Sequence, residues 1–409
     1  MSGIRVLVAG ASVAGPALAH WLRRRGAEVT VVERASELRA GGQAVDARGV
    51  AKEVIRRMGL DAAVRAARTD TAGAHTVDVD GKVLETFRAE DDGGDGFIAE
   101  IEVLRGDLSR VLYGDTRGGV EYVFGDRIAA LTQDADGVDV TFAGGDRRRF
   151  DLVVGADGLH SALREMVFGP RQRFVRHLGL VLAFYSVPNE FGLDRWLIDY
   201  QDQETGRSAG LRPVPDATRA MAVFSFPAAD PDVDHRDVGA QKRLLRERMA
   251  GLGWLTPRIL AHLEDTPDFY LDQVAQVVMD RWSNGRVGLL GDAAFSSSPM
   301  SGGGTGLALV GAYLLAGELA AAGWDPEAGF AGYEARMRSF VEANQEIGRL
   351  HVHSRDVPQP DAEPSPDFES EWFAALIDRA INGPELPGYA GVPDSGPAAG
   401  PPITPSATP

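Results

Sequence analysis

Apolar runs and amphipathic stretches alternate along the first third of this chain, and their order predicts its architecture. Ile4 to Ala9 is a nearly continuous apolar run of strand length, and residues 14–25 carry Leu18, Trp21 and Leu22 at helical spacing. Residues 28–33, Glu-Val-Thr-Val-Val-Glu, read as the next strand, so the opening predicts a parallel strand–helix–strand crossover. A helix is expected over 49–58, a hairpin over 75–87 turning at Asp80-Gly81, and a helix beginning over 105–112. Short strands follow over 122–124, 128–133 and 138–142, and residues 147–154 lead into Gly155-Ala156-Asp157-Gly158.

Between 178 and 226 the pattern changes to alternating apolar and polar positions rich in Phe, Tyr and Trp. Strands are expected over 178–187, 195–201 and 219–226. Leu180, Leu182 and Phe184 would share one face, and Ala222, Phe224 and Phe226 one face of a later strand. Helices over 241–252 and 258–263 accompany them. A strand over 286–290, apolar after Arg286, ends at Gly291-Asp292, a long helix follows Gly302-Gly303-Gly304, and another spans 326–350. Beyond Pro358 the composition turns to Pro, Gly, Asp, Glu and Ser, interrupted by one amphipathic helix over 369–381. The last ~20 residues read as disordered or draped over the surface.

A chain of 409 residues is long enough for two domains. The formal net charge of −17 argues against nucleic acid and anionic membrane partners, since phosphate binding needs a basic surface. Absence of cysteine excludes disulfides, thiolate metal sites, Fe–S clusters and cysteine nucleophiles. The first strand begins near residue 4, leaving no room for a signal peptide, so a cytoplasmic location is expected. The most apolar stretch, 306–323, contains Glu318 and many small residues, which predicts a buried helix rather than a membrane span. His351-Val352-His353 has no third clustered ligand, so no metal site is expected.

Chemistry concentrates at Gly10-Ala11-Ser12-Val13-Ala14-Gly15, the turn between the first strand and helix. Gly10 permits the tight turn, a small residue at Ser12 lets backbone approach a pyrophosphate, and Gly15 lets helix and strand pack closely. The helix start at Ala14 offers free N–H groups to phosphate, and Glu33 is spaced to accept hydrogen bonds from a ribose hydroxyl. Ser12 stands where the pattern usually has its middle glycine.

Two further turns follow apolar strands: Asp151-Leu152-Val153-Val154-Gly155-Ala156-Asp157-Gly158 and Gly291-Asp292-Ala293-Ala294. With the first, in this order, they resemble the FAD-dependent aromatic hydroxylases built like para-hydroxybenzoate hydroxylase. The branch most alike contains the tetracycline-inactivating monooxygenase and actinobacterial antibiotic-tailoring enzymes. The resemblance covers residues 4–350. It implies an α/β fold: a Rossmann-like FAD-binding domain, a β-sheet substrate domain and a C-terminal helix. The expected division is 1–72, 96–175 and 272–350 for the FAD-binding domain, 73–95 for a substrate-domain hairpin, 176–271 for the β-rich substrate domain, and 351–409 for the C-terminal helix and tail.

By this resemblance FAD binds non-covalently. Glu33 holds the adenosine ribose, Arg34 lies beside the adenine, and Arg105 reaches the flavin side. Asp46 lies in the loop after Gly41-Gly42, near the flavin, and Arg39 helps meet the nicotinamide cofactor. Asp157 serves FAD and NAD(P)H together, and Asp292 accepts hydrogen bonds from the ribityl hydroxyls. Pro299, Gly302, Gly303, Gly304 and Thr305 pass the isoalloxazine ring, and the following helix aims its N-terminal amides at the pyrimidine edge. Phe295 stands where the family often has histidine.

The implied reaction is NADPH- or NADH-driven, O2-dependent hydroxylation of an aromatic or polyketide-like small molecule through a C4a-hydroperoxyflavin, by a monomer or homodimer. No residue is assigned as a catalytic base. Phe184, Trp196 and Phe224 are the candidate walls of the substrate pocket. A Baeyer–Villiger or epoxidising flavin monooxygenase and a non-catalytic, antibiotic-sequestering flavoprotein remain open alternatives.

Overall fold

The computed structural model describes residues 3–39, 42–92, 94–96, 98–228, 234, 236–353, 368 and 370–389. Gly41, residue 369 at the expected start of the last helix, and the tail over 390–409 lie outside these residues.

A six-stranded sheet forms the centre. Its order is Ser283–Asn284, Val287–Leu289, Leu152–Gly155, Arg5–Ala9, Glu28–Glu33, Glu121–Phe124, and all pairings but the first are parallel. Val6, Leu7, Val8, Val31 and Leu152 to Val154 are fully buried, as expected for a parallel sheet covered on both faces. The helix Ala14–Arg24 buries Leu18, Trp21 and Leu22. It packs against Gly304–Ala321, the one helix among the described residues apolar and long enough to cross a membrane. That helix is buried in the core along most of its length. Residues 147–155 make two strands. Arg147–Phe150 joins a three-stranded antiparallel sheet with Val138–Phe142 and Ile128–Gln133, and Leu152–Gly155 enters the central sheet.

The second large sheet has seven strands in the order Tyr270–Val277, Val175–Pro188, Arg219–Pro227, Ser208–Pro213, Trp196–Gln201, Gly73–Val77, Val83–Arg88. The hairpin around Asp80-Gly81 therefore lies beside strands far along the chain, through parallel pairing of Gly73–Val77 with Trp196–Gln201. Ser208–Pro213 and Tyr270–Val277 were not legible as strands, and the latter carries the sheet past residue 271.

Alternation gives this sheet two unlike faces. On one, Val181, Ala183, Tyr185 and Val187 join Ala222, Phe224 and Phe226 beneath Leu245, Met249 and Ile259 of the helices Val238–Met249 and Thr256–Leu260. On the other, Leu180, Leu182 and Phe184 meet Val274, Val352 and Met300. Phe224 and Phe184 thus face opposite ways. The helix Pro326–His353 packs against Gly304–Ala321, and Glu371–Asn382 packs on the outside of Pro326–His353.

Candidate cofactor and substrate site

The three motif turns follow three adjacent strands. Gly10 comes after Arg5–Ala9, Asp157 after Leu152–Gly155 and Asp292 after Val287–Leu289, so all three emerge at the carboxyl edge of neighbouring parallel strands. Open α/β sheets hold ligands at this edge.

The turns touch through glycines. Gly10 has φ +108°, and a Cβ there would sit 2.4 Å from the Ala156 carbonyl oxygen. A Cβ on Gly15 would sit 1.9 Å from the Gly10 carbonyl oxygen, and one on Gly291 3.2 Å from the Ala14 Cβ. The helix Ala14–Arg24 has no side-chain cap, and Ser12 is exposed beside its start. These close backbone approaches and open amides suit a pyrophosphate, so the residues fit a dinucleotide.

Glu33 bridges two turns. Its Oε2 accepts from the Ala11 N–H and its Oε1 from the Ala35 N–H, both at 2.9 Å. Each oxygen keeps a lone pair for a ribose hydroxyl. Arg34 and Arg39 are exposed. Glu33→Ala is expected to lower FAD affinity about ten- to a hundredfold, as loss of a charge-assisted hydrogen bond does. Asp292→Ala should have a similar effect. FAD titration of the apoproteins measures both, and parental affinity in both variants would reject this placement.

Asp292 is surrounded by protein on most sides. Burial pushes its carboxyl up, and the nearby Arg105 guanidinium works against that rise. The residue still opens to solvent, which marks the floor of a cleft. Burial likewise raises Asp157, whose Oδ2 accepts from the Leu163 N–H at 3.2 Å. Arg105 begins the helix Arg105–Thr116, and a Cβ on Gly42 would lie 3.3 Å from its Nε. The double-glycine loop and this arginine therefore share one wall.

Beyond them lies the segment from Pro299 to Thr305. Gly302 takes φ +66°, the Gly303 N–H donates to Ser301 Oγ at 3.1 Å, and Gly304–Ala321 starts with no side-chain cap. Thr305 is buried in its first turn. Asn344 fills the space beside Gly303, where a Cβ would lie 1.7 Å from its Oδ1. Phe295 packs away into the core against Trp282, with ring centroids 4.7 Å apart.

Asp46 pairs with Arg48 at 2.8 Å and stands opposite Glu102 in a two-stranded sheet. Burial pushes its carboxyl up to about 6, against the pull of Arg48 and with a further push from Glu102. The native state therefore holds this proton more tightly than the unfolded chain does. Asp46 favours folding at low pH, and that contribution is lost as pH rises from about 4 through about 6. Between pH 4 and 7, Asp46→Asn should gain of order 2–3 kcal/mol of stability relative to the parent. Urea midpoints at the two ends test this, and a difference that does not change with pH would refute it.

Two pocket candidates need correction. Phe224 is fully buried on the helix-covered face of the seven-stranded sheet, because odd and even positions of a strand point to opposite sides. Trp196 shares the side of Ile198 and Tyr200, which pack toward that same cluster, and stacks on His75 at 4.3 Å. Of the three, Phe184 alone lies on the face with Met300 and Val352, next to the Pro299 segment.

Residues that the sequence left unmarked complete the site. Ser161 caps the helix Ala162–Phe168 by accepting from the Arg164 N–H at 2.9 Å. The wholly buried Arg164 guanidinium donates to the Ala293 oxygen at 2.9 Å and the Leu159 oxygen at 2.7 Å, joining the second and third motif turns. Arg48 reaches the Gly302 carbonyl at 3.4 Å. The serine carried an N-cap signal, but nothing local tells a buried arginine from a surface one.

The chain is similar to known proteins in both sequence and fold. A family model described as FAD binding domain matches residues 3–346. An uncharacterized protein of Mycobacterium tuberculosis is 47% identical over 367 residues, covering 89% of this chain and 96% of its own length. A flavin-dependent monooxygenase of Legionella longbeachae is 38% identical over 393 residues, 94% of this chain and 98% of the relative. Among solved structures, tetracycline destructase Tet(55) superposes with TM-score 0.83 at 36% identity, covering 95% of this chain and 99% of that one. Tet(51) gives 0.82 at 34%, with 95% and 100% covered.

Proposed function

The chain belongs to the FAD binding domain family and is an FAD-dependent monooxygenase, and from that premise we propose that it hydroxylates an aromatic or polyketide-like small molecule, using NADPH or NADH and O2. The observation that carries this reading is the aromatic pair Phe184 and Tyr270, on the side of the seven-stranded sheet that looks toward Arg105 and Asp292. A flat apolar wall opposite a dinucleotide cleft suits a planar ring. The similarity to tetracycline destructases supports a polycyclic phenol or enol among the substrates.

When bound, FAD supplies the redox chemistry with O2, and this chain's residues supply position, charge and dryness. Glu33, Asp157 and Asp292 would hold the cofactor's polar groups. The uncapped start of Gly304–Ala321 offers a positive helix end that would stabilise negative charge on the bound cofactor. Leu180, Leu182, Val274, Met300 and Phe184 line the sheet side with apolar surface that keeps water out. The seven-stranded sheet is thereby the substrate-binding layer.

The test is a panel of phenols and polyketides assayed for accelerated NAD(P)H oxidation, with products weighed by mass spectrometry under labelled dioxygen. One labelled oxygen atom in a hydroxylated product is the expected result. A ring-expanded ester would instead make this a Baeyer–Villiger enzyme, and peroxide with no oxygenated product across the panel would overturn the reading.

A further inference from the structure

Tyr270 combines features that neither core packing nor cofactor binding accounts for. It pairs with Phe184 across the antiparallel strands, as Asp272 pairs with Leu182, so all four share the cleft side of the sheet. The rings of Tyr270 and Phe184 stack with centroids 6.1 Å apart. Tyr270 is nonetheless 39% exposed, and the charges it feels include Arg105 and Asp292 on the far wall. Its ring therefore borders the open space between the sheet and the cleft floor.

Its polar end is fixed. The Tyr270 hydroxyl donates to Asp272 Oδ2 at 3.1 Å, and the same oxygen meets His160 Nε2 at 2.6 Å. Asp272 Oδ1 accepts from the Gln273 N–H at 2.8 Å. Burial pushes the Asp272 carboxyl up, but the bonds from His160, Gln273 and Tyr270 outweigh it and hold the group below the usual range. An ionised carboxylate thus accepts the one hydrogen bond that the phenol can donate. The remaining lone pair of the tyrosine oxygen can only accept. His160 lies just after Gly158 of the second motif turn, so the orientation of Tyr270 is referred to the cofactor's own scaffold.

We propose that Tyr270 is a substrate-positioning residue whose oxygen, with its proton held by Asp272, accepts a hydrogen bond from the hydroxyl of a phenolic or enolic substrate lying against the Phe184–Tyr270 wall. This rests on the oxygenase reading and names the group that the site recognises. Donation to a neutral oxygen orients the hydroxyl and shifts electron density into the ring without full proton transfer, and an electron-rich ring carbon is what oxygen transfer requires. A site that offers only an acceptor discriminates against an ether, which has no proton to give.

The experiment uses the FAD-loaded parent, Tyr270→Phe and Asp272→Asn, each titrated with 2-naphthol and with 2-methoxynaphthalene while the bound-flavin spectrum is followed. The parent should bind the naphthol about tenfold more tightly than the ether. Tyr270→Phe should bring that ratio to within about twofold with FAD content and melting temperature near parental. Asp272→Asn, which loosens the hold on the proton, should lower the ratio part-way with the tyrosine present. An unchanged ratio in Tyr270→Phe overturns the proposal, as does a parent with no preference, including one that binds neither probe. A parent that prefers the naphthol, loses that preference in Tyr270→Phe, and yet oxygenates no phenol supports Tyr270 and overturns only the oxygenase reading.

Discussion

Gly10→Ala is expected to give a protein that purifies with almost no FAD. Two costs fall on this position. At φ +108° an L side chain is strained by roughly 1–2 kcal/mol. The new Cβ would also lie 2.4 Å from the Ala156 oxygen and 2.8 Å from its carbonyl carbon, atoms of the second motif turn. Backbone cannot rotate aside as a side chain can, so the first and second turns must separate. That movement displaces the amides at the start of Ala14–Arg24 and tilts Ala11, whose N–H holds Glu33. A loss of at least about a hundredfold in affinity, near 3 kcal/mol, should follow. Gly26→Ala isolates the clash, because Gly26 also has positive φ, +86°, with nothing within 4 Å of a Cβ. That control should lose stability modestly and keep its FAD. Flavin absorbance per protein, with the flavin released by heat and quantified, decides the matter. A Gly10→Ala protein as yellow as the parent would show that the turn tolerates the separation.

Gly10 was legible in the sequence because its role is local: a tight turn between an apolar strand and an amphipathic helix. The same holds for Gly15, Glu33 and Asp292, each fixed by its distance from a strand end. The parallel central sheet followed from those strands and their turns. Arg164 was not legible. Its function depends on carbonyls at 159 and 293, and 293 joins the site only through the register of Leu152–Gly155 with Val287–Leu289. Tyr270, Asp272 and His160 were missed for the same reason, since their chain of bonds spans 112 residues. Ser208–Pro213 was hidden by Pro213 at its end with Pro215 just beyond, and by Gly210, which leaves room for Asp199 across the ladder, its Oδ1 2.2 Å from where a Cβ would sit. For the pocket walls, alternation correctly grouped Ala222, Phe224 and Phe226 on one face. It carries no sign, however, and both sides of this sheet are apolar, so periodicity could not choose the side that meets the cleft.

Substitutions at Phe224 and Phe184 supply that missing sign. Phe224→Ala should destabilise the protein by roughly 3–5 kcal/mol, the cost of removing a fully buried aromatic ring from a packed core. The ring stacks on Tyr185 at 5.9 Å and lies in the cluster with Leu245 and Met249, so the cavity would open between the sheet and its helices. Phe184→Ala should cost much less. Phe184 is only partly buried, and its neighbours Tyr270 and Met300 border the cleft rather than a sealed core. Its loss should appear instead as weaker binding of 2-naphthol and a lower ratio of product to NAD(P)H consumed, at near-parental FAD content. The two phenylalanines are separated by one step of register, since Ala183 stands opposite Phe224 and Phe184 opposite Val223. Urea midpoints and the naphthol titration, run on both variants, therefore read the two faces of one sheet. If Phe184→Ala loses stability as Phe224→Ala does and keeps its naphthol affinity, the cleft side of the sheet is a closed core, and the substrate must approach the cofactor from elsewhere.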